Sequence, residues 1–136
     1  MAKFKDVEEI FLKKCEEYPL KLGVNKLKPK IKAKWIEALT SGEYPQTQGM
    51  LHRDNPKFGA REGYCCLGVL AYSIRRTKAF KEDFGTIANL TGRGDVGQPT
   101  RDYTGLTVRM SSILVHLNDN TKANFKQIAK IIDKYL

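Results

Sequence analysis

Two adjacent cysteines, Cys65 and Cys66, open the apolar run Tyr64-Cys65-Cys66-Leu67-Gly68-Val69-Leu70. Neighbouring cysteines rarely reach disulfide geometry with each other without strain. They are therefore packing groups or thiols placed at a helix start. A nucleophilic thiol needs its pKa lowered by a helix N-terminus, a histidine or a cation. Of the two histidines, His52 lies in a polar stretch and His116 in a helical one, so His52 is the better base, with Asn118 or Asp119 as orienter. The cysteines and histidines lack the close pairwise spacing of a zinc site, and no cofactor motif is present.

Binding asks for less. The stretch 43–63 carries Arg53, Lys57 and Arg61, the amides Gln46, Gln48 and Asn55, and the aromatics Tyr44, Phe58 and Tyr64 at its margin. Guanidinium groups and free backbone N–H donors hold anions, and aromatic rings stack on bases. Arg53, Lys57, Arg61, Tyr64 and Asn118 are the expected ligand contacts. An equally simple reading makes the stretch a surface excursion. Gly92-Arg93-Gly94-Asp95 lacks P-loop spacing and reads as a turn.

Charge adds a second candidate surface. Of the 136 residues, 24 are Lys or Arg and 15 are Asp or Glu. The excess is uneven: residues 1–36 hold ten lysines and five acids, whereas 37–106 hold nine basic groups and eight acids. Lys21–Lys34 contains six lysines and no acid. Such a field attracts nucleic acid, nucleotide phosphates or an acidic protein surface, and Lys26, Lys30 and Lys34 are its expected electrostatic contacts. Lysine in place of arginine favours diffuse attraction over bidentate reading, and the same lysines also serve solubility.

The elements that must position these groups follow from periodicity. Val7, Ile10, Phe11, Cys15 and Tyr18 mark an amphipathic helix over 6–18, with Cys15 in the core and Pro19 as its stop. The segment KLKPKIKAK alternates like a strand, but Pro29, Ile31, Trp35, Ala38 and Leu39 favour a helix over 29–41, with Trp35 as a core anchor. Residues 64–76 are apolar almost all round and suit a central buried helix. Thr107 and Thr121 are expected caps of two closing helices, the second carrying a solvated row of Lys122, Lys126, Lys130 and Lys134. The expected fold is mainly α: one compact domain of about five helices, with room for one short β-hairpin within 84–105. Residues 1–28 form a basic N-terminal helix and linker, and 29–136 the rest of the core.

Trp35-x-x-Ala38-Leu39-x-Ser41-Gly42-x-Tyr44-x-Gln46, Gly49-x-Leu51, the YCCLGVL run, Leu117-Asn118-Asp119 and Phe125-x-x-Ile128-Ala129-x-x-Ile132 occur in that order. Together they resemble an uncharacterised family of small phage and prophage proteins, over roughly 35–136. The resemblance implies a viral accessory protein in the cytoplasm of an infected bacterium, acting on a host target, with host defence among the candidates. It supplies no catalytic residues, and it implies that the polar stretch, the cysteine pair and Leu117-Asn118-Asp119 group around one site. No run approaches the roughly 18–20 apolar residues of a membrane span, so no membrane partner is expected. The expected partner is a host protein, nucleic acid or nucleotide. A thiol-dependent enzyme and a nonspecific nucleic-acid binder remain as alternatives.

Overall fold

The computed structural model describes residues 3–24, 26–54 and 62–136. They form α1 (Phe4–Glu17), α2 (Pro29–Thr40), β1 (His52–Arg53), β2 (Gly63–Tyr64), α3 (Cys66–Ser73), α4 (Lys78–Asp83), a 3₁₀ turn (Ile87–Leu90), α5 (Gln98–Thr104), α6 (Val108–Asn120) and α7 (Phe125–Tyr135). The five helices expected from periodicity are present, with ends displaced by a few residues. The two additional helices, α4 and α5, have six and seven residues, too few to display a periodic apolar stripe.

α3 is the centre. Seven of its eight residues are buried, and it packs against α2 and α6. Such all-round burial explains why its sequence shows no polar face. α1 contributes Val7, Phe11 and Cys15 from a single stripe and lies across α6 and α7. α2 begins with proline in its first turn, where the missing N–H costs no helical hydrogen bond, and buries Trp35 and Leu39. α7 turns Phe125, Ile128, Ala129 and Ile132 inward, while Lys122, Lys126, Lys130 and Lys134 stay exposed. No helix among the described residues is long and apolar enough to cross a membrane.

Two expectations shift. The stretch 84–105 holds no hairpin; it contains the 3₁₀ turn and α5. Its glycine-rich part is pinned by side chains instead of a strand partner. The buried Asp83 carboxylate accepts from Arg93 Nη2 at 3.0 Å and from the Gly97 N–H at 2.8 Å, and Asp95 accepts from Arg101 Nη2 at 3.1 Å. The strand pair is instead β1–β2, antiparallel with His52 opposite Tyr64, inside the polar stretch. At the chain's end, Thr121 terminates α6 by donating its hydroxyl to Leu117 O. Asn124 caps α7, in a reciprocal box with Gln127. An Asn cap with Gln three residues on satisfies two otherwise orphaned N–H groups.

Candidate functional site

The polar stretch, the cysteine pair and Leu117-Asn118-Asp119 do meet. The meeting point is a buried brace. Asn118 is fully buried. Its Oδ1 accepts from the Cys66 N–H at 3.1 Å and from Gln46 Nε2 at 3.0 Å. Its Nδ2 donates to Thr47 O and to Asp119 Oδ1, each at 2.8 Å. Two acceptor sites and two donors exhaust a carboxamide. Asn118, expected as a ligand contact, therefore has no polar atom left to offer. Trp35 Nε1 donates to Cys66 O at 2.9 Å, so α2, α6 and the start of the polar stretch converge on the backbone of one residue, Cys66, at the start of α3.

The cysteines occupy the helix start that the sequence suggested. Cys65 is the N-cap of α3, its Sγ accepting from the Gly68 N–H at 3.4 Å. Cys66 Sγ points inward, 3.7 Å from Leu114 O. Both side chains are buried. Burial pushes the Cys65 thiol up to about 11, and it pushes Cys66 well above the ordinary thiol range. Desolvation thus outweighs the helix end. His52 offers no compensation: its Nδ1 meets Thr91 Oγ1 at 2.9 Å and its Nε2 meets Glu62 Oε1 at 3.1 Å. The thiol–imidazole pair drawn from sequence is not assembled among the described residues.

The remaining loop candidates separate. Arg53 turns back on its own segment, Nε donating to Thr47 Oγ1 at 3.1 Å. Lys57 and Arg61, with Asn55 and Phe58, lie outside the described residues. Tyr64 joins Tyr44 and Tyr72 in an aromatic cluster with centroid separations of 5.3–5.8 Å, and His52 packs on Tyr64 at 4.6 Å. Partial burial, with Glu62 nearby, raises the Tyr64 hydroxyl to about 12, so it is a neutral phenol at ordinary pH.

The lysine segment is held differently. Residues 26–28 bridge two parts of the fold: the Leu27 N–H donates to Leu136 O at 3.1 Å, and the Lys28 N–H donates to Thr104 O at 3.0 Å. Gly105, in the left-handed region at φ +86°, permits this approach; a Cβ there would lie 2.9 Å from Lys26 O. Tyr103 is thereby brought beside the start of α2. Lys28 Nζ sits 5.6 Å from the Tyr103 ring centroid. Lys28, Pro29, Lys30, Ile31 and Tyr103 line a groove of about 510 Å³.

Lys26, Lys30 and Lys34 are all exposed, but they do not share one groove. Lys26 borders a second groove beside Lys32 and Lys134, and Lys34 a third beside Glu37 and Arg75. α2 itself has no side-chain cap and no acid in its first turn, so the positive end of its dipole is not neutralised locally. Sequence reasoning missed Lys28 and Tyr103, whose partnership spans two distant parts of the chain.

Residues 27–90 match the model of an uncharacterised family, described as Domain of unknown function (DUF8296). The matched stretch runs from the lysine segment through α2, β1, β2, α3 and α4 to the end of the 3₁₀ turn; α5, α6 and α7 lie beyond it. No curated protein and no solved structure matches the chain.

Proposed function

We propose that this protein binds a phosphate-bearing polyanion, nucleic acid foremost, at the Lys28–Lys30–Tyr103 groove, as a phage-type accessory protein acting on a host target. One observation carries the reading: an exposed aromatic ring, Tyr103, stands at an uncapped helix start with Lys28 and Lys30, two of the six lysines in a segment without acids. Lysines draw in the backbone phosphates through counterion release. A base stacked on an exposed ring contributes roughly 1–3 kcal/mol and tolerates any sequence. Pro29 and Ile31 supply an apolar floor. Lys26 and Lys34, outside the groove, extend the field beyond it.

An acidic protein surface would be drawn to the same lysines but would have no comparable use for the ring. Truncating Tyr103 therefore separates the two partners. The biological setting, an infected bacterial cytoplasm in which host machinery or host defence is the target, rests on the resemblance carried by the ordered strings from Trp35 to Ile132. The thiol-dependent alternative has two buried, high-pKa cysteines against it.

The test is fluorescence anisotropy with a short single-stranded oligonucleotide at several salt concentrations, on wild type, K28E/K30E and Y103A. The reading requires binding that weakens steeply with salt, a shallower slope in the lysine variant, and loss of affinity without loss of slope in Y103A. Equal binding by all three proteins would reject it.

A further inference from the structure

Away from the buried brace, the polar stretch and α3 enclose a cleft of about 370 Å³ lined by Glu43, Tyr44, Pro45, Glu62, Tyr64 and Tyr72. Its lining is anomalous for this chain. The protein carries a formal charge of +9, yet the cleft presents two carboxylates and three phenol rings, with no lysine or arginine among the described residues that line it. The rings stand edge to face, with interplanar angles of 86°, 69° and 63°, so their π-faces point in different directions around the cluster.

One cation already uses this cluster. The Arg75 guanidinium lies 4.2 Å from the Tyr72 centroid and donates Nη1 to Tyr72 O at 3.0 Å. It does so from the adjoining groove, which it shares with Lys34, Glu37 and Glu43. The cluster's π-surface thus accepts a cation in this fold, and the cleft bordered by Glu62 has none of its own among the described residues. Glu43 borders both spaces with no ion pair to its carboxylate among the described residues, while Glu62 meets His52. Partial burial raises the Tyr44 and Tyr64 hydroxyls above the ordinary phenol range, so both rings remain neutral, electron-rich faces.

We infer that the Tyr44–Tyr64–Tyr72 cleft is a binding site for an organic cation, an alkylated ammonium or guanidinium group, held by cation–π contact and the Glu43 and Glu62 carboxylates. An ammonium over aromatic faces is attracted by the ring quadrupoles, and more strongly where water is excluded. The nearby carboxylates give the charge a counterpart without requiring a bidentate fit. The site is separate from the lysine groove and selects the opposite charge. The cation has two sources of the same chemistry, a free small molecule or a lysine or arginine side chain of a partner protein.

The test titrates the intact protein with tetramethylammonium and, in parallel, with an uncharged analogue of similar shape, neopentyl alcohol, following tyrosine ring resonances by NMR. A third arm uses a short peptide bearing one trimethyllysine. Specific displacement of the Tyr44 and Tyr64 ring signals by the cation, at least about fivefold tighter than by the neutral analogue, is expected. E43Q, at an exposed position where folding is not at stake, should weaken the cation about threefold and leave the neutral analogue unchanged. Peptide binding tighter than tetramethylammonium supports the inference and assigns the cation to a partner side chain; the reverse supports it and assigns a small molecule. Equal response to cation and neutral analogue, or no movement of the tyrosine signals, overturns the inference.

Discussion

Asn118→Ala probes the junction that organises the fold. The substitution removes an acceptor from the Cys66 N–H and a donor from Thr47 O, at a side chain that water does not reach. The other two partners fare better. Gln46 Nε2 retains a bond to Ala123 O at 3.0 Å, and Asp119 is half-buried. Two orphaned buried groups at roughly 1–3 kcal/mol each give a loss of about 2–6 kcal/mol. That is a large part of the roughly 5–15 kcal/mol that holds a domain together, and it corresponds to a fall in melting temperature of about 7–20 °C. Urea titration reads it as a lower midpoint at unchanged slope. N118D sharpens the test because it keeps the volume. It places a carboxylate oxygen against Thr47 O and the Asp119 carboxylate, so the buried acid favours its neutral form. Its folded pKa then lies above its unfolded value, and the deficit relative to wild type shrinks as pH falls and the acid is protonated. An unfolding free energy for N118A within about 0.5 kcal/mol of wild type, or an N118D deficit that does not change between about pH 8 and pH 5, would show that Asn118 does not brace the fold.

Three further outcomes follow from the same geometry. Gly68→Ala should destabilise by about 3 kcal/mol or more despite alanine's better helix propensity, because a methyl there lies 1.8 Å from Leu51 O; a higher melting temperature would contradict it. Gly105→Ala combines a left-handed backbone, costing about 1–2 kcal/mol, with the 2.9 Å approach to Lys26 O. It should lower both the melting temperature and oligonucleotide affinity, by loosening residues 26–28 from α5. Iodoacetamide near neutral pH should modify Cys65 and Cys66 only at the rate of unfolding, read by peptide mapping with and without urea. Since the Cys65 pKa rises from 9.0 to about 11 on folding, its protonated form stabilises the fold fully below the unfolded value, and that contribution is lost as pH climbs through the folded one.

The helices with a periodic apolar stripe are legible in sequence because burial on one face leaves a repeating mark: Val7, Phe11 and Cys15 in α1, or Phe125, Ile128 and Ile132 in α7. α4 and α5 leave no such mark, and what fixes them is the Asp83 carboxylate reaching Gly97 and Arg93, a long-range bond that no local pattern announces. Asn118 stands out in the sequence, but its carboxamide is spent on the brace and not on a ligand. A polar residue between Leu117 and Asp119 reads alike whether it faces solvent or satisfies a buried peptide N–H. Tyr103 escapes notice because its meaning depends on Lys28, brought alongside by a backbone bond to Thr104. The aromatic cleft is half visible. Tyr44 and Tyr64 flank the polar stretch, whereas Tyr72 looks like one more face of a buried helix.

The most direct test of polyanion binding at the Lys28–Lys30–Tyr103 groove is the salt dependence of single-stranded oligonucleotide binding, compared between wild type and K28E/K30E. Log affinity should fall linearly with log salt for wild type, with a slope reduced by roughly 1–2 in the variant, about 0.7 for each lysine–phosphate pair removed. Binding independent of salt, or an identical slope in the two proteins, would contradict polyanion binding at the groove.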